Sequence, residues 1–205
     1  MTHVRTTDDR QDATGRERAG ASRTRRRASW ALWAYWGATF LVVFELTAGA
    51  AWNLVTIDWI DAQLDHLGYP DYFAPLSGVW QLAAAVALAV PGFRVVKEWA
   101  YAGAVLMWSG AVVSHLALGD GPVSWGPPLI YLVLAVVSWS LRPAGRRVPE
   151  TRLRRVRPVA RSREWAVSVG LLVVLAAFSF LTLPAAEELT GDWAERRGWV
   201  GGQQP

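Results

Sequence analysis

Long stretches of this chain carry no charge, and that decides what it can fold into. No Asp, Glu, Lys or Arg falls in residues 72–93, 99–119, 121–141 or 165–186, runs of 22, 21, 21 and 22 residues. Residues 28–57 form a further run of 30, broken only by Glu45. A helix needs about 20 apolar residues to cross roughly 30 Å of hydrocarbon. Five such runs in succession exclude a soluble single domain, although a hydrophobic content of 52% is close to the globular norm. They predict an all-α, polytopic membrane helical bundle.

The basic residues between the runs give the expected orientation. Of 21, all but Lys97 are Arg. Eight precede residue 30, Arg94 and Lys97 follow the second run, and nine lie between Arg142 and Arg163. Only Arg196 and Arg197 fall on the other side. The positive-inside rule then places the N-terminus in the cytoplasm and the C-terminus outside, with five spans in a bacterial inner membrane. Trp30, Trp33, Trp99, Trp139 and Trp165 near the inner ends, and Trp52, Trp59, Trp125 and Trp193 near the outer ends, fit an interfacial belt. Trp80 and Trp108 fall mid-span.

Arg25, Arg26 and Arg27 before an apolar run imitate a twin-arginine signal, with Ala48-Gly49-Ala50 as its cleavage site. Glu45 and the length of the run argue against cleavage. Residues 1–29 lack apolar periodicity and read as a disordered, Arg-rich cytoplasmic tail. Attraction to anionic lipid accounts for its charge, and without an aromatic or folded platform no nucleic-acid partner is expected. Residues 144–163 read as a basic cytoplasmic linker that hugs lipid, with docking of a cytoplasmic partner as the sharper alternative.

Zero Cys excludes disulfides, thiolate metal sites and a thiol relay within the chain. His3, His66 and His115 are far apart with no metal-binding spacing, so no metal is expected. Glu45 stands out instead, since a carboxylate at mid-bilayer costs about 2.5–3.5 kcal/mol on insertion scales. Residues seven apart on a helix nearly superpose. Ala38, Glu45 and Trp52 therefore share a face, with Gly49 and Asn53 nearby. Tyr101, Trp108 and His115 form a second stripe, and Ser77, Gln81 and Ala84 a third. Facing inward, the stripes would enclose a polar pocket lined by Glu45, Gln81 and His115. Glu45 and His115 are the catalytic candidates, as a pair able to pass a proton to a quinone. Gln81, Trp108, Tyr101 and Asn53 are the ligand-binding candidates. Inter-helix hydrogen bonding is the plainer reading, above all for Gln81.

Several segments together resemble the DoxX-like family of small bacterial membrane proteins. They are Leu67-Gly68-Tyr69-Pro70, Trp80-Gln81-Leu82, Val90-Pro91, Lys97-Glu98-Trp99-Ala100-Tyr101-Ala102-Gly103, Ser114-His115-Leu116, Gly119-Asp120 and Ser138-Trp139-Ser140-Leu141-Arg142-Pro143. The resemblance covers about residues 33–143 and implies a four-helix membrane bundle over 30–143. The wider group includes a subunit of a thiosulfate:quinone oxidoreductase, so the resemblance also implies a role beside membrane redox complexes. It supplies no catalytic motif to carry across. The Arg-rich tail, the linker, a fifth span over 164–186 and a short outer tail over 187–205 depart from the pattern. Lys97 and Glu98 are neighbours about 100° apart on their helix and read as topology and dipole residues. Asp58, Asp61 and Asp65 lack a calcium-loop pattern and read as a solvated loop.

The expected function is that of an accessory or anchor subunit for membrane redox chemistry, with quinone as the candidate contact and a membrane or cytoplasmic oxidoreductase as the candidate partner. The alternatives are a non-enzymatic binder or carrier of a small apolar molecule, or a scaffold for a cytoplasmic partner. No ligand set for haem, flavin or an iron–sulfur cluster is present.

Overall fold

The computed structural model describes residues 5–143 and 162–196. They form six helices: α1 (Arg5–Val55), α2 (Asp58–Leu67), α3 (Phe73–Ala89), α4 (Arg94–Ala117), α5 (Pro122–Ser140) and α6 (Ser162–Arg196). The architecture is an all-α membrane bundle. Ser29–Val55, Arg94–Ala117, Pro122–Ser140 and Arg163–Ala185 are long and apolar enough to cross a bilayer, while the apolar α3 has 17 residues.

α1, α3, α4 and α5 form a ring in which α1 touches α3 and α5, and α4 closes the circle against both. Val42, Leu46, Leu88, Tyr101, Trp108 and Ala135 meet at its centre. α1 and α3 approach closely because Gly78 has no side chain. A Cβ there would stand 2.8 Å from the Leu54 side chain and 3.2 Å from the Ala50 carbonyl oxygen. α6 packs outside the ring, mainly along α1, where Phe178 meets Phe44 with ring centres 6.4 Å apart.

Two stretches are more helical than their composition suggests. α1 begins at Arg5, so the segment expected to lack structure continues the helix of the first span backwards. No proline interrupts residues 1–69, and propagation from a formed helix adds one hydrogen bond per residue fixed. The acidic loop after the first run is α2. Ile60, Leu64 and Leu67 recur at helical spacing, and Gly68 closes the helix in the left-handed region at φ 75°, its N–H bonded to the Asp65 carbonyl. α6 likewise continues past residue 186 to Arg196. The expected basic linker lies almost wholly outside the described residues, as do residues 1–4 and 197–205.

The C-terminal end of α3 shows how a helix can stop inside a low-dielectric bundle. Its last carbonyls lack helical partners, and Pro91 has no N–H to give Ala87, four residues back. Lys97, only 4% exposed, reaches back from α4 and donates to the carbonyls of Ala87, Leu88 and Val90 at 2.7, 2.7 and 2.6 Å. The remaining one, Ala89, accepts from the Ser168 hydroxyl of α6 at 3.0 Å. A lysine read from sequence as a topology marker is thus a buried helix cap.

Candidate functional site

α3 and α4 diverge enough to leave a lateral cleft of about 840 Å³. Its walls are almost wholly apolar, from Phe73 and Leu76 at one end through Ala84, Gly103 and Leu106 to Val96 and Trp99 at the other. Such a volume lies in the range of small-molecule sites, which characteristically combine apolar walls with a few placed polar groups. Ser77, Gln81 and Glu98 supply the polar groups.

Gln81 is the placed group near mid-depth. Asn53 of α1 donates from Nδ2 to the Gly49 carbonyl at 2.8 Å and to Gln81 Oε1 at 3.3 Å. That contact holds the Gln81 amide with its nitrogen turned towards α4, where Nε2 meets Met107 Sδ at 3.6 Å. A thioether is a weak acceptor, so the amide keeps donor capacity on the cleft side. Gly49 makes room for this: a Cβ there would lie 2.8 Å from Gln81 Oε1. The ligand-binding candidates Gln81 and Asn53 are therefore brought together.

Glu45 and His115 each have other partners. Glu45 is half-buried on α1 and lies within hydrogen-bonding reach of the Tyr131 hydroxyl of α5. Tyr131 in turn stacks on Trp108, with ring centres 5.6 Å apart. His115 is 1% exposed at the far end of α4. Gln63 Nε2 donates to its Nε2 at 3.1 Å, which leaves the proton on Nδ1, donated to Asp120 at 2.6 Å. His66 Nε2 donates to the same carboxylate at 3.0 Å, and Tyr69 and Ser114 join hydroxyls alongside at 2.8 Å. Burial would raise the Asp120 carboxyl, but the hydrogen bonds from His115 and His66 outweigh it and hold the group below its usual range. This cluster ties α2 to the α4–α5 turn. Neither Glu45 nor His115 is among the residues lining the cleft, so the expected pocket shared by Glu45, Gln81 and His115 is not formed.

Tyr101 and Trp108 face inward, buried in the core, and neither lines the cleft. The Tyr101 hydroxyl pairs with Ser138 Oγ at 2.7 Å, and Ser138 pairs with Thr39 at the same distance. Above Tyr101 sits the Arg142 guanidinium, 5.1 Å from the ring centre, which forks onto both oxygens of Glu98 at 2.6 and 3.0 Å. Trp139 Nε1 adds a third bond to Glu98 at 2.8 Å. Glu98 is therefore fixed by α5, and its role as a dipole residue is secondary. Sequence reading missed this partnership, and also Asp120, Gln63 and Met107. Its one advance signal was that Glu98, Tyr101, Trp139 and Arg142 all lie in the segments carrying the family resemblance.

Among the described residues, no group of three His, Asp or Glu side chains is arranged to hold a metal ion. No curated protein and no solved structure matches the chain. The model of the DoxX-like family matches residues 37–138, about half the chain, running from the middle of α1 to Ser138 near the end of α5. That segment holds the cleft, the His115–Asp120 cluster and the membrane-spanning core of the four-helix ring, and through it this chain belongs to the DoxX-like family of membrane proteins.

Proposed function

We propose that this chain binds a quinone from the bilayer in the α3–α4 cleft and serves as an accessory subunit to membrane redox chemistry. One observation carries the reading. A cleft of about 840 Å³ with apolar walls holds one oriented amide donor, Gln81 Nε2, that has only a thioether opposite it. A quinone matches that arrangement, because its ring and tail are apolar and its carbonyls accept hydrogen bonds. The Asn53 contact favours an acceptor in the ligand, since it uses the amide oxygen and leaves the nitrogen to the cleft. The reducing partner is an oxidoreductase that meets the chain at the membrane.

The same reading takes five spans in the bacterial inner membrane, with the N-terminus cytoplasmic and the C-terminus outside. The distribution of Arg supports it. So does α3, which is apolar, lies between α1 and α4, and completes the ring. Glu45 lies outside the cleft, as a protonatable group within the hydrocarbon beside Tyr131. His115 and Asp120 serve as the outer latch of the bundle.

The test uses the full chain in nanodiscs, titrated with a short-tailed quinone and read by tryptophan quenching. Gln81→Leu should weaken binding about fivefold, the worth of one neutral hydrogen bond. An alkyl analogue without carbonyls should bind both proteins equally. Gly103→Phe should block binding, because a Cβ at Gly103 meets open space on the cleft wall and the ring would fill it. Equal quinone affinity in all three proteins overturns the proposal. Binding without carbonyl dependence would leave a carrier of apolar molecules as the function.

A further inference from the structure

A second concavity plays no part in quinone binding. A groove of about 570 Å³ lies between α1, the C-terminal end of α3 and the first turns of α6. Phe40, Val43, Leu88, Val167 and Leu171 give it apolar walls, and Arg163 and Glu164 stand at its rim. The hydroxyls deeper in it are committed: Ser168 donates to the Ala89 carbonyl, while Thr39 bonds the Tyr35 carbonyl and Ser138. Trp165 meets Phe93 edge-on at 6.2 Å, which fixes the start of α6 against the α3–α4 turn.

The two rim charges narrow the occupant. Arg163 and Glu164 are both exposed, and as consecutive helical residues they point about 100° apart rather than forming an i,i+4 pair. A cation beside an anion, above an apolar slot, complements a head group carrying both signs on a hydrocarbon tail. Guanidinium forks onto phosphate, and a carboxylate accepts from a primary ammonium. A quinone has neither charge, and an anionic head lacking the ammonium meets repulsion from Glu164. We propose that the α1–α6 groove seats one phosphatidylethanolamine molecule. Its phosphate meets Arg163, its ammonium meets Glu164, and one acyl chain lies along Phe40, Val43 and Leu171. The lipid then fills the seam between the family ring and α6. Only the choice of the inner leaflet depends on the proposed orientation.

Native mass spectrometry of the full chain, released from nanodiscs of mixed phosphatidylethanolamine, phosphatidylglycerol and phosphatidylcholine, tests this. The expected result is one retained lipid, with ethanolamine preferred. Arg163→Gln should lower retention about tenfold, the worth of a charge-assisted contact. Glu164→Gln should keep a bound lipid but abolish the preference for ethanolamine over glycerol. Val167→Trp should expel the lipid by filling the groove while leaving both rim charges in place. Equal retention of the three lipids by the unaltered chain, or retention unmoved by all three substitutions, overturns the proposal. Quinone titration of the same variants should be unchanged, so the fates of the two sites are read separately.

Discussion

Lys97→Met removes the cap of α3 while keeping a side chain of similar length, which isolates the ammonium. The unaltered lysine makes three bonds of 2.6–2.7 Å to carbonyls that have no helical partner. A buried acceptor left bare costs about 1–3 kcal/mol, so three set a gross loss of roughly 3–9 kcal/mol. Against this stands the desolvation of the ammonium, which is several kcal/mol for a buried ion and disappears with it. The net expectation is a destabilisation of about 3 kcal/mol. Unfolding in mixed micelles, followed by the near-ultraviolet signal of the tryptophans, measures it. Hydrogen exchange adds a local readout, with protection lost first at Val90, whose N–H closes the last turn on Val86. Lys97→Arg should fall between, because a planar fork cannot converge on three carbonyls as an ammonium does. Should Lys97→Met unfold within about 0.5 kcal/mol of the unaltered chain, the size of an ordinary surface change, the capping argument is wrong and Lys97 is a topology residue after all.

Four further outcomes follow from the geometry. In a double-mutant cycle, Glu98→Gln with Arg142→Gln should show a coupling of about 1 kcal/mol, because the bond is bidentate and Glu98 is only 30% exposed; additivity refutes the pairing. The Asp120 carboxyl is held below its usual value, so the stability it confers is complete above pH ~4 and is lost as pH falls through its lowered value. Exchange of the α2 amides should speed up only in that acid range, and Asp120→Asn should speed it at neutral pH. A hydrophobic carbodiimide should label Glu45 from the bilayer, and Tyr131→Phe should change the labelling rate; absence of labelling removes Glu45 as a proton-binding group. A reporter active only outside the cytoplasm, fused after Pro205, should be active, and silence there refutes the five-span orientation.

What could be read in advance was whatever depends on one helix at a time. Among the described residues the uncharged runs located the apolar part of each long helix, because the bilayer imposes a length and excludes charge. Seven-residue spacing correctly put Tyr101, Trp108 and His115 on one buried face. It could not say which helix that face would meet, and so paired Glu45 with His115. In the ring, Glu45 faces α5 while His115 reaches α2 and the α4–α5 turn. Asn53 and Gln81 do meet, because both lie on the seam where Gly49 and Gly78 draw α1 and α3 together. α2 was legible from Ile60, Leu64, Leu67 and the following Gly68, yet its aspartates drew attention away from that pattern. The cap of α3 had one local trace, Pro91 placed four residues after Ala87. Nothing local pointed to Lys97 as the donor, since a cap supplied from another helix exists only once the bundle forms.

The short third helix has a consequence for the membrane itself. At about 1.5 Å per residue, its 17 residues extend ~26 Å, less than the roughly 30 Å of an average hydrocarbon layer. Lys97 and Ser168 stop it there, so it cannot lengthen to match. In the proposed five-span arrangement the lipid leaflets beside α3 would thin to meet it, at a cost of a fraction of a kcal/mol per ångström of mismatch. The longer α4, with 24 residues, keeps the opposite wall of the cleft at full height. In that arrangement bilayer thickness would step across the cleft mouth. A hydrophobic molecule leaving the bilayer at that step would displace lipid already disturbed by the mismatch.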